Sequence, residues 1–361
     1  MSWPSWLPLR ENLRPLSPYG APQVPAQASL NTNENPYPPS PALAQAIANR
    51  VHSVATNLNR YPDRDAVTLR GALAKFINSL SGTSFGAQEI WAANGSNEII
   101  QSLFMAFGER PALGFTPSYS MHPLIAKVIG TKWNDGGRRA DFSLDLAKAI
   151  SDIAKVKPGL TFITAPNNPT GTTVTLAEIE DLAIATGKIN GLLIVDEAYA
   201  EFSDQASTVT LLAKYSNLVV IRTMSKAFAF AGARLGYLVA NKELVSAMFL
   251  VRLPYHLSSL TQAAAEVALQ YQSELLGNVS TLIDSRKSVV AALEELGLQV
   301  IPSQANFILF SGFPMEPAQL WRQMLDRGVL IRDVGLLAHL RMTIGNEAEN
   351  HEFIKALQEI L

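Results

Sequence analysis

The stretch Thr223–Tyr237 reads TMSKAFAFAGARLGY and contains a single lysine, Lys226, in a run of small and apolar residues. The apolar run Leu218–Ile221 precedes it and has the two valines that a buried strand favours. We expect Lys226 just beyond the end of that strand, where ligands of open α/β sheets bind. Apolar surroundings favour the neutral amine that Schiff-base chemistry needs. Taken alone, Lys226 could equally be a solvated loop residue.

Strand-like and helix-like runs alternate from about residue 90 to about residue 240. This alternation predicts an α/β fold with a mostly parallel sheet that is flanked by helices on both faces. The predicted strands are Ile90–Ala93, Leu113–Phe115, Phe162–Ala165, Leu192–Val195 and Leu218–Ile221.

The rest of the chain predicts a second, smaller unit. A helix is expected at 280–296, and shorter strands and helices follow it to the end of the chain. That pattern indicates a small α+β domain. We therefore predict a large domain at 41–265, and an N-terminal arm (1–40) together with a small C-terminal domain (266–361). Residues 1–30 are rich in proline and also apolar, so we expect an extended arm that lies on its own body or on a partner.

Composition excludes several classes of protein. The 361 residues are 48% hydrophobic, the formal net charge is -2, and there is no cysteine. Disulfides, thiolate catalysis and cysteine-ligated zinc are thereby excluded, and no basic tail indicates nucleic acid or membrane binding. No uncharged apolar run approaches the roughly 18 residues of a membrane helix. The five histidines have no metal-ligand spacing, so no metal is predicted. We expect a soluble, cytoplasmic protein.

Polar residues follow the predicted strands at points where a ligand would bind. Asp196 comes directly after an apolar strand, where an acidic side chain needs a cationic partner, or where it caps the next helix. The segment Asn94–Glu98 joins a strand to a helix through a glycine turn, a geometry that offers free backbone N–H groups to an anion. Each signal is weak alone, because turns and helix starts are common.

Together these residues resemble a known enzyme family. The segment Thr223–Gly232, followed by Arg234, resembles the cofactor-lysine segment of fold-type I aminotransferases, which use pyridoxal 5′-phosphate (PLP). Within that fold, the order of motifs is similar to that of the histidinol-phosphate aminotransferases over nearly the whole chain. The motifs are NENP (33–36), RYPD (60–63), GSNE (95–98), PNNPTG (166–171), VDEAY (195–199) and SKAF (225–228).

The resemblance implies a set of cofactor-binding residues. Lys226 would hold PLP, Asp196 would pair with the pyridine nitrogen, and Tyr199 would complete the catalytic group. Asn168 and Tyr199 would hydrogen-bond the phenolic oxygen of PLP. Tyr119 would stack on its ring, although a bare tyrosine is more often a core residue. The phosphate would be bound by Ser96, Asn97, Thr223, Ser225 and Arg234, and by Tyr61 of a neighbouring subunit in a homodimer.

The resemblance also implies the substrates. Arg341, Arg332, Tyr19 and Asn33 would bind them, with the arginines on the phosphate of L-histidinol phosphate or the carboxylate of glutamate. Only Asp333–Leu340 separates the two arginines, and relatives have a longer loop there. The implied reaction transfers an amino group to 2-oxoglutarate with ping-pong kinetics.

Three alternative functions share parts of this pattern. An aromatic-amino-acid aminotransferase and a threonine-phosphate decarboxylase would use the same fold and most of the same cofactor residues. A PLP-sensing transcription regulator would need a basic helix-turn-helix module, whereas the first 40 residues are proline-rich and not basic.

Overall fold

The computed structural model describes residues 3–361. It is built on a seven-stranded sheet with the strand order β2-β8-β7-β6-β5-β3-β4. The strands of the chain are β1 (Ala28–Ser29), β2 (Ile90–Ala93), β3 (Ala112–Gly114), β4 (Trp133–Asp135), β5 (Leu160–Thr164), β6 (Leu192–Asp196), β7 (Leu218–Thr223), β8 (Gly236–Ala240), β9 (Gln299–Ile301), β10 (Phe307–Ser311), β11 (Val329–Leu330) and β12 (Leu340–Thr343).

Helices cover the sheet and separate most of its strands. They are α1 (Pro41–Ala55), α2 (Val67–Ser81), α3 (Ser96–Phe107), α4 (Met121–Ile129), α5 (Leu146–Val156), α6 (Leu176–Gly187), α7 (Lys242–Val251), α8 (Ser259–Gln270), α9 (Gln272–Glu295), α10 (Pro317–Asp326) and α11 (Glu347–Ile360). No helix within residues 3–361 is both long and apolar enough to cross a bilayer.

The centre of the sheet is buried on both faces. Every residue of β5 and β7 is buried, and so is every residue of β6 after Leu192. These strands are parallel, as their continuous apolar runs predict. Thr164 pairs with Asp196, and the next strand ends at Thr223, so three polar side chains lie together at the carboxyl edge. The fold thus places them where α/β proteins bind ligands.

The C-terminal part has its own small sheet. Strands β12, β10 and β9 are antiparallel in that order, while β11 pairs in parallel with β1 from the N-terminal segment. Backbone hydrogen bonds of 2.9 Å in both directions join Arg332 to Arg341, so the two arginines are neighbours across strands.

The structure confirms the mostly parallel α/β sheet and corrects several details. Strand β8 is antiparallel to its neighbours and was not predicted. The helix expected at 280–296 begins at Gln272 and runs through Gly277, because tertiary packing outweighs the helix propensity of one glycine. Among the shorter strands expected near the end of the chain, the apolar run at 329–332 forms only the two residues of β11, followed by a single bridge at Arg332. The boundary between the two domains stays a prediction.

The N-terminal arm lies on its own chain. Arg10 Nη2 donates to the carbonyl of Val128 at 2.8 Å, and Asn12 Nδ2 donates to that of Lys127 at 2.6 Å. Both acceptors are in the last turn of α4, whose carbonyl groups have no partner within the helix. The arm therefore caps that helix.

Candidate active site

A cavity of about 400 Å³ opens at the carboxyl edge of the large sheet. It brings together every site residue predicted from the sequence except Tyr61. Those lining it are Tyr19, Asn33, Ser96, Asn97, Tyr119, Asn168, Asp196, Tyr199, Thr223, Ser225, Lys226, Arg234, Arg332 and Arg341. An adjoining cavity of about 240 Å³ shares Tyr19, Tyr119, Asn168 and both arginines, so the site extends outward toward Asp333 and Val334.

Lys226 points its amine into this cavity. Nζ donates to the carbonyl of Thr32 at 3.0 Å, and the residue is half-buried at the cavity wall. Burial, with a smaller repulsion from Arg341, lowers the pKa of Lys226 to about 8. A lysine with this pKa is partly neutral near physiological pH, as carbonyl chemistry requires.

The backbone after Lys226 adopts an unusual conformation. Ala229 and Arg234 both have a positive φ, of 53° and 56°. For residues with a Cβ this region costs about 1–2 kcal/mol, and such strain is concentrated at functional sites. Hydrogen bonds from Met224 N to Leu235 O and from Phe230 N to Met224 O hold the loop closed. The loop thereby returns the chain to β8 with Arg234 beside the lysine.

Asp196 lies under the cavity and has a partner that the sequence reasoning missed. Its Oδ2 is 3.2 Å from Nε2 of His122, and its Oδ1 accepts from the backbone N–H of Ala198 at 3.2 Å. His122 is fully buried on α4, against the ring of Phe162. The available signal was the short spacing between Tyr119 and His122, which places both residues near the N-terminus of α4.

Tyr119 forms a wall of the cavity. Its Oη donates to Oδ1 of Asn97 at 3.0 Å, and its ring stands edge-on to His122 with centroids 5.5 Å apart. Burial raises the pKa of Tyr119, so it remains a neutral phenol. Its ring is thus held in place as a stacking surface for a flat ligand.

An anion-binding cup lies at the N-terminus of α3. Gly95 precedes the helix with φ 84°, and the first-turn N–H groups of Ser96 and Asn97 have no helical partner. Thr223 and Ser225 add hydroxyls 3.1 Å apart. The guanidinium of Arg234 lies where a Cβ on Gly95 would be, with Nη2 only 2.6 Å from that position. The cup thus combines backbone donors, hydroxyls and a cation, which is the donor set that a phosphate needs.

Two amides surround the hydroxyl of Tyr199. Asn33 Nδ2 donates to Tyr199 Oη at 2.9 Å, and Asn168 Nδ2 donates to it at 3.3 Å. Burial raises the pKa of Tyr199, so its phenol keeps its proton. Asn33 lines the cavity as predicted for a substrate ligand, but its side chain is buried and engaged with Tyr199.

Two arginines form the outer end of the site. Arg341 Nη1 donates to Oδ1 of Asn168 at 2.5 Å, and Nη2 donates to the carbonyl of Asn31 at 2.9 Å. Its Nε has no hydrogen-bond partner among residues 3–361. Burial, with repulsion from Arg332, lowers the pKa of Arg341 to about 10, so it remains a cation at neutral pH. A buried cation with a free donor next to a second arginine is suited to an anionic substrate group.

The cavity residues fit PLP. Its aldehyde needs an amine of lowered pKa, its ring nitrogen a buried carboxylate, its ring face an aromatic and its phosphate a cationic cup. Lys226, Asp196, Tyr119 and the Arg234 cup supply these groups on one cavity wall. Within residues 3–361 there is no cluster of three or more His, Cys, Asp or Glu residues that could bind a metal ion.

Tyr61 lies outside the cavity of its own chain. It is 78% exposed and stacks on Tyr255 with ring centroids 4.3 Å apart. Leu250 and Leu253, which precede Tyr255 closely in the chain, are 85% and 76% exposed. We call Leu58, Tyr61, Leu250, Leu253 and Tyr255 the Tyr61 face. Apolar patches of this kind mark interaction surfaces.

Comparison with known proteins agrees with this geometry. Residues 25–357 match the family model described as aminotransferase class I and II. The histidinol-phosphate aminotransferase of Mycolicibacterium smegmatis is 54% identical, with 98% of this chain and 93% of that protein covered. The enzyme of the same name from Nocardia farcinica is 53% identical, with 97% and 90% covered.

Solved structures have the same fold. The histidinol-phosphate aminotransferase of Clostridium acetobutylicum has a TM-score of 0.82 at 25% identity, covering 92% of this chain and 98% of that one. That of Sinorhizobium meliloti, in complex with pyridoxal 5′-phosphate, has a TM-score of 0.81 at 25% identity, covering 93% and 91%.

Proposed function

The chain belongs to the class I and II aminotransferases, and from this we propose that it transfers the amino group of L-histidinol phosphate to 2-oxoglutarate. The products are imidazole acetol phosphate and glutamate, and the reaction is a step of histidine biosynthesis. It is a PLP-dependent transaminase, like the family to which it belongs. The observation that carries the proposal is the single cavity that joins Lys226 to Arg341 and Arg332.

PLP, when bound, supplies an electrophilic aldehyde and a ring that accepts electrons from the bond broken at the substrate Cα. Lys226 would hold the cofactor through its amine and, once displaced by the substrate amine, would be the base positioned to accept the substrate Cα proton. Its lowered pKa is suited to this step, because a fully charged lysine could not accept a proton. The same Nζ, once protonated, would be the acid available to return that proton.

Asp196 would pair with the ring nitrogen of the cofactor. His122 contacts its Oδ2 and the backbone N–H of Ala198 donates to its Oδ1, so the buried carboxylate is held in a fixed orientation at the cavity. Asn168 and Tyr199 would hydrogen-bond the phenolic oxygen of the cofactor. Tyr119 would offer its ring as a stacking surface for the pyridine.

The two arginines select substrates that carry an anion. L-Histidinol phosphate has no carboxylate, so its phosphate ester takes the free donors of Arg341 and Arg332, with Tyr19 at the rim. Glutamate places a carboxylate on the same groups in the second half of the cycle. One site thus accepts both substrates in turn, which gives ping-pong kinetics.

The active unit is a homodimer. The Tyr61 face supports this part of the proposal, because its apolar side chains are exposed and Tyr61 reaches no ligand group of its own chain. In a dimer, Tyr61 donates to the cofactor phosphate of the neighbouring subunit. The cytoplasm is the proposed location.

A single-turnover experiment tests the proposal. The PLP-loaded protein is mixed with L-histidinol phosphate, without keto acid, and its visible spectrum is followed. Loss of the band of the lysine-bound cofactor, with pyridoxamine phosphate formed, is the expected result. A band that persists, with carbon dioxide released from phosphothreonine, would instead indicate a decarboxylase. Lys226→Ala is the control: it should fold but show neither the band nor turnover.

A further inference from the structure

The hydroxyl of Tyr199 has one proton to donate and two lone pairs to accept with. In this structure both acceptor positions face side-chain amides, Asn33 Nδ2 at 2.9 Å and Asn168 Nδ2 at 3.3 Å. An amide NH₂ group can only donate. The remaining proton of Tyr199 is therefore free to point into the cavity.

The orientation of Asn168 is set by Arg341. An arginine has five donors and no acceptor, so the atom that it contacts at 2.5 Å must be the amide oxygen of Asn168. The amide nitrogen then faces Tyr199. The first of the two donors is thus fixed by the substrate-binding arginine.

The orientation of Asn33 is set by Thr343. The hydroxyl of Thr343 accepts from the backbone N–H of Asn33 at 2.9 Å and donates to Asn33 Oδ1 at 3.1 Å. Its only proton is used on that oxygen, which leaves the nitrogen of Asn33 toward Tyr199. Asn306 Nδ2 holds the carbonyl of Asn33 at 3.1 Å, and Asn33 and Thr343 are 1% and 3% exposed. The contact is therefore rigid and screened from water.

We propose that Asn33, oriented by Thr343, is a positioning residue that keeps the hydroxyl of Tyr199 as a hydrogen-bond donor toward the cofactor's phenolic oxygen. Asn33 thus acts on the reaction through Tyr199 and not by contact with the substrate. Thr343 and Arg341 lie two residues apart on β12 and so on the same face of the strand. Two side chains of β12, Arg341 and Thr343, consequently orient the amides of Asn168 and Asn33 that donate to Tyr199. The proposal rests on the PLP-binding part of the proposed function and not on the choice of amine.

The donor from Tyr199 has a measurable effect on the cofactor. A hydrogen bond to the phenolic oxygen stabilises the form in which the Lys226 linkage has lost its proton, so it lowers the pKa of that linkage. The charged groups that act on Lys226 are Arg341, Arg234 and Glu34, and Asp196 and Arg332 line the same cavity. The substitutions proposed here leave all of them unchanged.

The test is a double-mutant cycle in the PLP-loaded protein. The pKa of the linkage is measured from the visible spectrum as a function of pH in the wild type, Asn33→Asp, Tyr199→Phe and the double variant. An Asp at 33 presents an oxygen to Tyr199 and draws its proton away from the cofactor. We expect Asn33→Asp to raise the linkage pKa by about 1 unit, the scale of one hydrogen bond. In the Tyr199→Phe background most of that shift should be lost.

The double-mutant cycle distinguishes an effect of Asn33 on the Tyr199 hydroxyl from the effect of the negative charge that Asn33→Asp adds. If Asn33→Asp shifts the pKa equally with and without the Tyr199 hydroxyl, the added charge alone explains the shift and the proposal is overturned. No shift in the single variant would overturn it as well. Asn49→Asp, at an exposed position of α1, introduces the same charge change far from the cavity and should leave the pKa at the wild-type value.

A second pair of variants tests the role of Thr343 without a charge change. Thr343→Val removes the hydroxyl and frees the Asn33 amide to turn over, whereas Thr343→Ser retains the hydroxyl. The linkage pKa should rise in the first and remain near the wild-type value in the second; equal values in both would contradict the proposal. These titrations need no amine substrate. An absence of reaction with L-histidinol phosphate would therefore count against the proposed function and leave this inference standing.

Discussion

Nη1 of Arg341 lies 2.5 Å from Oδ1 of Asn168, so the arginine that would bind the substrate anion is tied to an amide that would bind the cofactor. Arg341 is 8% exposed, and within residues 3–361 the only other hydrogen bond of its side chain is to the carbonyl of Asn31. An anion that binds this guanidinium therefore also affects the hydrogen bond between Arg341 and Asn168. Substrate binding and cofactor orientation share one side chain.

Replacing Arg341 with lysine tests this relationship. A lysine has the charge but not the planar fork, so it cannot keep Asn168, Asn31 and a substrate anion together. The loss of one or two charge-assisted hydrogen bonds, of about 1.5–3 kcal/mol, predicts a fall of about 10- to 100-fold in kcat/KM. Steady-state kinetics with L-histidinol phosphate and with glutamate measure it. Arg332→Lys should cost less, and an equal loss in both variants would contradict the special position of Arg341.

Gly95→Ala tests the phosphate cup. The new Cβ would lie 2.6 Å from Nη2 of Arg234, and the residue would keep a φ of 84° that alanine disfavours. The guanidinium must move, so we expect the affinity for PLP to fall by about 10-fold or more, equivalent to about 1.4 kcal/mol. Fluorescence titration of the cofactor-free protein with PLP measures this. Gly71→Ala in α2, where a Cβ meets nothing within 4 Å, is the matched control and should bind PLP normally.

The lowered pKa of Lys226 predicts a pH-dependent cost in the cofactor-free protein. Because the folded pKa, about 8, is below the unfolded value of 10.5, the unfolded state binds more protons between these two values. The stability contributed by this group therefore rises with pH through that window, and the full penalty applies below about pH 8. Lys226→Met should accordingly be more stable than the wild type at pH 7.5, by at most about 3 kcal/mol.

Urea unfolding of the two cofactor-free proteins at pH 7.5 and pH 10.5 measures this difference. The advantage of Lys226→Met should be largest at the lower pH and should shrink at the higher one. Lys155→Met, at an exposed position of α5, controls for the loss of a lysine charge. An advantage that grows with pH would contradict the assigned direction of the pKa shift.

The site residues that the sequence predicted are those that directly follow an apolar, strand-like run. Lys226, Asp196 and Asn168 each follow an apolar run within a few positions, so the strand ends place them at the same edge. The motifs around them then indicated their roles in binding PLP. This part of the site could be predicted because its geometry depends on parallel strands alone.

His122 was missed, and so was the contact between the predicted residues Asn33 and Tyr199, because both depend on contacts between distant segments. His122 meets Asp196 across 74 positions, and Asn33 meets Tyr199 across 166. No sequence pattern predicts such a contact, because neither residue of the pair is unusual when it is considered alone. The antiparallel strand β8 was missed for a similar reason: its direction depends on the loop after Lys226, where Ala229 and Arg234 have a positive φ.

The Tyr61 face gives the last prediction, on assembly. Leu253 of this face is 76% exposed, and a glutamate there would place a charge against the same face of a second copy. We expect Leu253→Glu to convert the protein from a dimer to a monomer of 39.2 kDa in sedimentation experiments, and to weaken PLP binding because Tyr61 of the partner is lost. Ile184→Glu, on α6 and 41% exposed, is the control and should remain dimeric.

Tyr61→Phe separates the effect on assembly from the effect on PLP binding. It should stay a dimer, yet bind PLP about 5-fold more weakly through the loss of one hydrogen bond of about 1 kcal/mol. Normal PLP affinity in the Leu253→Glu monomer would show that Tyr61 does not reach the neighbouring site.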